Sequence, residues 1–316
     1  MIVFLARRLA LLLASLVLAS VLVFLLLRLL PGDLAQVIAG TQATPEAVAA
    51  LRERLGTDRS PATQYLDWIS GVVTGDLGRS PLSGASIGGE LAEKLSVTVP
   101  LAVFAIVLAV ALAVPAGILA AALHRRRAGT VISVVSQIGI AVPTLWVGLV
   151  LAVVFAVQLH WLPAQGFPLD GWDEPGRALE SLVLPAVTLA LAEGAVLLRY
   201  VRSATLEVLH EDWLRTARAK GLTRTQALLR HGVRNAALSV VSVLGLQIAT
   251  LLVGAIVVET VFNLPGAGQL LVRDVGNRDL VAVQSEVLII SAAVLIAGFT
   301  IDVAHRLIDP RLRGAR

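Results

Sequence analysis

Residues 96–123 read SVTVPLAVFAIVLAVALAVPAGILAAAL, a run of 28 residues that contains no charged side chain. A transmembrane helix needs about 20 predominantly apolar residues. Because lipid offers the backbone no hydrogen-bonding partners, such a run must satisfy its own N–H and C=O groups, as a helix does. The run is continuous, whereas the wall of a membrane barrel alternates apolar and polar residues. This stretch therefore predicts a membrane-spanning helix.

Five further stretches are apolar over a similar length: residues 9–30, 131–159, 182–198, 236–262 and 287–308. Hydrophobic residues make up 57% of the 316 residues, charged residues make up 15%, and the mean hydropathy is +0.83. Soluble domains are about 45–50% apolar and about 25% charged. The composition excludes a soluble enzyme and a disordered chain, and the absence of cysteine excludes a disulfide scaffold. We expect an all-α integral membrane protein with six transmembrane helices.

The first apolar stretch follows Arg7 and Arg8, so it has the basic front of a secretory signal peptide. A signal peptide has an apolar region of about 7–15 residues and a cleavage site of small residues. This stretch is longer, and no small-x-small site follows it. We therefore expect a retained first helix.

The distribution of Lys and Arg predicts the orientation, because cytoplasmic loops carry an excess of these residues. With the N-terminus inside, 17 of the 26 basic residues fall in inner segments and eight fall in outer loops. The inner segment with the most basic residues, eight, is residues 199–234. Both termini are therefore predicted to be cytoplasmic. The basic residues set the topology, and we expect no nucleic-acid partner.

The chain lacks the common catalytic and nucleotide-binding motifs. A P-loop needs Gly-Lys followed by Ser or Thr, whereas Lys94 precedes a leucine and Lys220 precedes a glycine. There is no HExxH zinc helix and no Gly-x-Ser-x-Gly elbow, and the five histidines are scattered. We predict no catalytic residue, no metal site and no cofactor bound by this chain.

Polar residues inside predicted spans are candidates for function, because such groups are costly in lipid. The candidates are Gln137, Glu193, Gln247 and Glu259. Glu193 lies deepest in a predicted span. It is expected either to line a pathway or to hydrogen-bond between helices, and the sequence leaves both open.

Three prolines are candidate hinges. Pro115 and Pro143 are predicted to interrupt the second and third spans, and Pro185 is predicted to start the fourth. Proline bends helices because it removes a backbone hydrogen bond. The alternative is a fixed packing role without movement.

The loop between the fourth and fifth spans has a helical pattern. Leu206, Leu209, Trp213 and Ala217 recur at steps of three and four residues, which predicts one apolar helix face. Gly221 stands where a helix commonly ends. A second helix is then predicted, because Thr223 and Gln226 have the spacing of a capping box.

Two interpretations of this loop stay open on pattern alone. A basic amphipathic helix can lie on anionic lipid headgroups. It can also dock into a groove on a partner. Ala217 and Gly221, four residues apart, would permit close backbone approach.

The segments RTARAKGL (residues 215–222) and RHGVRNA (residues 230–236) resemble the EAA loop of permease subunits of binding-protein-dependent ABC importers. Further segments resemble the dipeptide/oligopeptide permease family, the DppB/OppB type, in the same order along the whole chain. They are LLRLLPGD (26–33), GDLGRS (75–80), VPTLW (142–146), VVETVFNLPGAGQLL (257–271), NRDL (277–280) and DPRLR (309–313). One departure is Leu238 and Ser239, where the family often has a proline in a Leu-Ile-Pro run.

The resemblance implies a type I ABC importer permease fold in the bacterial inner membrane. It implies a core over residues 96–308 with the EAA loop at 205–235, preceded by a first helix at 1–30 and an extracytoplasmic region at 31–95. Residues 309–316 would form a cytoplasmic tail.

The resemblance also implies the partners. These are a second permease of the DppC/OppC type, one or two ATPase subunits that bind ATP and Mg, an extracytoplasmic peptide-binding protein, and membrane lipid. The ATPase-coupling residues it indicates are Trp213, Leu214, Arg215, Thr216, Ala217, Arg218, Gly221, Arg230 and Asn235.

The function expected is ATP-driven import of dipeptides or oligopeptides. The same role for a nickel chelate, glutathione or haem is an alternative. A secondary transporter driven by an ion gradient is another, but it would favour several charged groups near the midplane. A structural subunit of another membrane complex would leave the resemblance unexplained.

Overall fold

In the computed structural model, residues 2–29, 34–40, 43–228 and 232–308 are described. The regular secondary structure of these residues is helical, apart from one isolated antiparallel bridge between Arg79 and Ser86. They form two compact units. We call residues 2–98 and 265–296 the first unit, and residues 99–264 and 297–308 the second unit.

The described residues of the first unit contain seven helices or parts of helices. They are α1 (Ile2–Leu29), α2 (Leu34–Ala39), α3 (Pro45–Leu55), α4 (Pro61–Thr74), the start of α5 (Ile87–Ala122), α12 (Ala267–Asn277) and the start of α13 (Leu280–Ile308), with α2 the shortest. Residues 31–95, predicted to form an extracytoplasmic loop region, contain α2 to α4 and the start of α5.

Capping explains why α3 and α4 form in that region. The Thr44 side chain accepts a hydrogen bond from the backbone of Ala47, and Ser60 caps α4 in the same way. Pro45 and Pro61 occupy the first helical positions, where the missing N–H costs nothing. Both helices end at a glycine in the left-handed conformation.

Aromatic contacts join α1 to α4. Phe24 packs on Tyr65 and Trp68, with ring centroids 5.4 and 6.4 Å apart. Ser20 Oγ lies 2.8 Å from the Tyr65 hydroxyl, so the buried Ser20 hydroxyl has a polar partner on α4.

The second unit is built around the 36-residue helix α8 (Pro175–His210). Its other elements are the rest of α5 and α13, α6 (Arg127–Ala141), α7 (Thr144–Leu151), a π-helical segment (Ala152–Gln158), α9 (Asp212–Ala219), α10 (Arg224–Ala227) and α11 (Val233–Val261). Leu197 and Val201 of α8 form a buried cluster with Ala113 of α5 and Val240 of α11. Small residues allow the close approach, since Gly194 faces the backbone of Ala109.

The prediction of six apolar spans is confirmed, with one change in form. Five helices are long and apolar enough to cross a membrane, namely α1, α5, α8, α11 and α13. The third predicted span, residues 131–159, is a pair of helices bent by 102°. Val142 is extended (φ −81°, ψ 127°) because a residue before proline avoids the helical region. The interruption expected at Pro143 is therefore confirmed.

The other two prolines sit differently from expectation. α5 continues through Pro115 as one helix, so the predicted interruption is wrong. Pro185 lies inside α8, which starts at Pro175, so the expectation that Pro185 starts the fourth span is also wrong. The prediction followed the apolar stretch at residues 182–198, whereas α8 extends beyond that stretch at both ends. A hinge role for these prolines stays a prediction.

Basic residues decide how the bent pair crosses the membrane. Arg125 and Arg126 precede α6, which begins at Arg127, and α8 ends at His210 within the basic segment 199–234. Both regions are predicted to be cytoplasmic, and α8 is a span. On this predicted orientation the pair passes from the inside to the outside, so we interpret it as a broken span rather than a re-entrant loop.

We expect Gly117→Ala to destabilise the second unit by about 1–3 kcal/mol, the usual cost of overpacking. A Cβ at this position would lie 2.7 Å from Val201 Cβ and 3.0 Å from the Leu198 carbonyl oxygen. Gly298→Ala in α13 is the matched control, since nothing lies within 4 Å of its Cβ position. Thermal unfolding of the purified variants measures the effect, and equal midpoints would contradict close packing at Gly117.

Candidate coupling loop and polar sites

The predicted apolar face of the cytoplasmic loop is divided between two helices. α8 continues to His210, Glu211 is extended (φ −69°, ψ 141°), and α9 begins at Asp212. Leu206 and Leu209 therefore belong to α8, while Trp213 and Ala217 belong to α9. The expectation of one continuous face is wrong. The spacing of apolar residues stays helical across Glu211, so it does not reveal that the helix ends there.

The turn after α9 has the geometry that the sequence predicts. Gly221 has φ +95°, and the N–H groups of Lys220 and Leu222 donate to the carbonyls of Thr216 and Ala217. The left-handed conformation disfavours any residue with a Cβ. The requirement for glycine here comes from the backbone, since nothing lies within 4 Å of its Cβ position.

The capping box is also confirmed. The Thr223 side chain accepts from the N–H of Gln226 at 3.3 Å, and Gln226 Oε1 accepts from the N–H of Thr223 at 3.1 Å. These reciprocal bonds start α10 immediately after the turn.

A small apolar cluster holds the base of the loop. Leu228 is buried against Ala204 and Val208 near the end of α8. Gly232 packs there too, since a Cβ would lie 2.6 Å from Leu228 Cδ1. The loop is therefore anchored to α8, while Thr216, Lys220 and Gly221 are exposed.

The remaining predicted coupling residues have the following positions. Trp213, Leu214, Arg215 and Arg218 lie in α9, Asn235 lies in α11, and Arg230 lies outside the described residues. The segments 26–33 and 309–313 of the family resemblance also fall partly or wholly outside them.

A polar site joins α8 and α11 within the bundle. Gln247 Nε2 donates to the Glu193 carbonyl oxygen at 2.8 Å. Thr250 Oγ1 donates to Glu193 Oε2 at 3.3 Å. The structure thus brings two of the four predicted polar residues together. Thr250 was missed, although its place one turn after Gln247 is a usable signal.

The other two predicted polar residues lie apart from this site. Gln137 is exposed on α6. Glu259 is fully buried in α11 and lies twelve residues beyond Gln247, about 18 Å along the helix. Glu193 thus takes part in hydrogen bonds between α8 and α11, and a pathway role stays a prediction.

The first unit contains a polar cluster that the sequence analysis did not single out as a site. Ser80 Oγ donates to Asp279 Oδ2, so the segments GDLGRS and NRDL meet. Asp279 Oδ1 also accepts from the N–H of Ala282 and thereby caps α13. Nearby, Trp68 Nε1 donates to Ser285 Oγ, which donates to the Leu77 carbonyl.

Arg273 pairs with acidic residues of the same unit. Its guanidinium contacts Asp274 at 2.7 Å and Glu90 at 2.8 Å. Hydrogen bonds to these two carboxylates raise the pKa of Arg273 above its ordinary value. Asp274 and Glu286 are buried. Glu286 was missed because it stands one position before the predicted sixth span and was counted with the loop.

Comparison with known proteins identifies the chain. The family described as binding-protein-dependent transport system inner membrane component matches residues 113–314, and its N-terminal domain matches residues 1–102. The glutathione transport system permease proteins GsiC of Escherichia coli K12 and Salmonella choleraesuis SC-B67 are each 39% identical over 307 residues, covering 97% of both chains.

The chain belongs to the family of inner membrane permeases of binding-protein-dependent transport systems. It is an ABC importer permease, a multi-pass protein of the bacterial inner membrane. It works with a partner ATPase and a substrate-binding protein. The resemblance found in the sequence is confirmed.

We expect Ser80→Ala to lower the stability of the first unit by about 1–3 kcal/mol, because Oδ2 of the buried Asp279 loses the hydrogen bond from the Ser80 hydroxyl. Ser83→Ala is the matched control, since Ser83 is exposed and accepts only a local bond from Ala85. Limited proteolysis across a temperature series measures the difference. Identical proteolysis of both variants would contradict a stabilising role for the buried contact.

Proposed function

We propose that this chain forms one half of the translocation pathway for short peptides, with a second, similar permease as the other half. Glutathione, itself a tripeptide, is the specific candidate, because the relatives named above transport it. One or two ATPase subunits bind ATP and Mg and drive the transport. This chain carries no catalytic residue of its own.

The observation that carries the proposal is the loop held at the end of α8. It carries α9 and the left-handed Gly221 on the side predicted to be cytoplasmic, while Leu228 packs against Ala204 and Val208 at its base. A helix anchored in this way is suited to transmit movement, because a rigid element displaces as a whole.

Coupling follows from differential binding. A partner that changes shape with bound nucleotide favours one position of α9 over another, and the difference in binding free energy shifts the bundle. Because α8 runs from the loop base to the polar site at Glu193, displacement at His210 reaches the pathway through one continuous helix.

Reconstitution tests the proposed substrate and energy source. Proteoliposomes should contain this chain, the second permease and the ATPases, with MgATP on the ATPase side and the binding protein on the other. We expect accumulation of labelled trialanine or glutathione that vanadate abolishes and that ionophores leave unchanged. If vanadate leaves accumulation unchanged and an ionophore abolishes it, the protein is instead a secondary transporter.

We expect Gly221→Asp to reduce ATP-driven peptide uptake at least tenfold while membrane insertion is retained. The left-handed backbone costs a residue with a Cβ about 1–2 kcal/mol, and the added carboxylate would project from the surface that we assign to ATPase docking. Uptake and ATP hydrolysis should be measured together, because loss of docking lowers both.

Gly56→Asp is the matched control. Gly56 also ends a helix in the left-handed conformation (φ 67°), but it lies in the predicted extracytoplasmic region. Its uptake should remain within twofold of the wild type. Wild-type uptake by Gly221→Asp would contradict the coupling assignment.

A further inference from the structure

The second unit contains a cavity of about 540 Å³ that the coupling loop and the bundle polar site do not use. It lies where the π-helical segment gives way to the first turns of α8. On the predicted orientation this is the extracytoplasmic end of the unit. Ligand pockets commonly measure about 300–1,000 Å³, so a short peptide fits the volume.

Irregular backbone shapes one wall of the cavity. π-helical segments are rare and frequently occur at functional sites, and Ala156 of this segment lines the cavity. His160, also on the lining, has φ 55°, which is uncommon for a residue with a side chain. Such conformations persist where the surrounding structure holds them in place.

The wall is fixed to the end of α11. The Gly166 N–H donates to the Phe262 carbonyl at 2.8 Å, and Gln165 Nε2 donates to the Val261 carbonyl at 3.4 Å. Trp161 is braced by Phe155, with ring centroids 5.9 Å apart, yet two thirds of Trp161 remains exposed. These contacts fix the shape of the cavity wall and leave the aromatic ring of Trp161 exposed.

Two opposite charges stand on the other wall. Arg177 and Glu180 both line the cavity and lie three residues apart on α8, so they share one helix face. Arg177 contacts Glu174 at 3.3 Å, and both side chains are mostly exposed. Such exposed pairs contribute little stability, so Arg177 can exchange Glu174 for a ligand carboxylate.

We propose that this cavity is an outer subsite for a short peptide with free ends. Arg177 binds the peptide carboxylate, Glu180 binds the ammonium group, and Trp161 covers an apolar side chain. A fork-shaped guanidinium suits a carboxylate, and a carboxylate accepts from an ammonium. The inference rests on the proposed function, because it takes the transported substrate to be a peptide.

Photo-crosslinking tests the subsite on the assembled importer in lipid nanodiscs, without binding protein and nucleotide. The probe is a tripeptide of two alanines flanking a diazirine-bearing leucine. We expect adducts on the cavity lining, at Trp161 and Leu162 in particular. Trialanine should compete at least fivefold better than N-acetyl-trialanine or trialanine amide.

The two charges should be separable by substitution. Arg177→Gln should weaken competition by trialanine at least fivefold and make the amide compete as well as the free acid. Glu180→Gln should weaken competition by trialanine at least fivefold and make N-acetyl-trialanine compete as well as trialanine. Arg59→Gln and Asp67→Asn remove a similarly exposed ion pair elsewhere and should leave every ratio unchanged.

Adducts confined to residues outside the cavity, or unchanged preference for free ends in both variants, would overturn the subsite. Uptake of trialanine by the complete wild-type importer is measured in parallel. If uptake occurs and the subsite result is negative, the subsite alone fails. If neither trialanine nor glutathione is taken up, the proposed function fails.

Discussion

Two carbonyl oxygens of α8 receive side-chain hydrogen bonds from neighbouring helices, and much of the second unit is organised around them. Ser136 of α6 donates to the Ala195 carbonyl at 2.8 Å, and Gln247 of α11 donates to the Glu193 carbonyl at 2.8 Å. A carbonyl oxygen has a second lone pair beyond the one used within its helix. Because lipid supplies no alternative partner for a buried donor, these bonds favour one placement of α6 and α11 against α8.

The same helix connects the regions to which function is assigned. Its first turns carry Arg177 and Glu180 at the cavity, its middle carries Glu193, and its end at His210 supports the coupling loop. Close packing at Gly117 and Gly194 leaves little space for α8 to change shape independently of α5. Movement of α8 as a rigid rod is therefore the simplest way for these regions to respond together.

Sequence reasoning was strongest where a local rule applied. Apolar run length located the spans, and Gly221 with the Thr223 and Gln226 pair predicted the turn and the capping box. It failed where distant segments meet. The contact between Ser80 and Asp279 joins residues 199 positions apart, and the cavity combines the π-helical segment with α8. Neither juxtaposition follows from spacing, because both depend on tertiary packing.

The bend at Pro143 constrains how the chain enters the membrane. Arg127–Ala141 and Thr144–Gln158 are each about 22 Å long at 1.5 Å per residue, whereas the hydrocarbon core is about 30 Å thick. Neither half can cross alone, so the two must enter the lipid together as one bent span. The insertion free energy is then shared between them, and a charge introduced into either half would hinder the insertion of both.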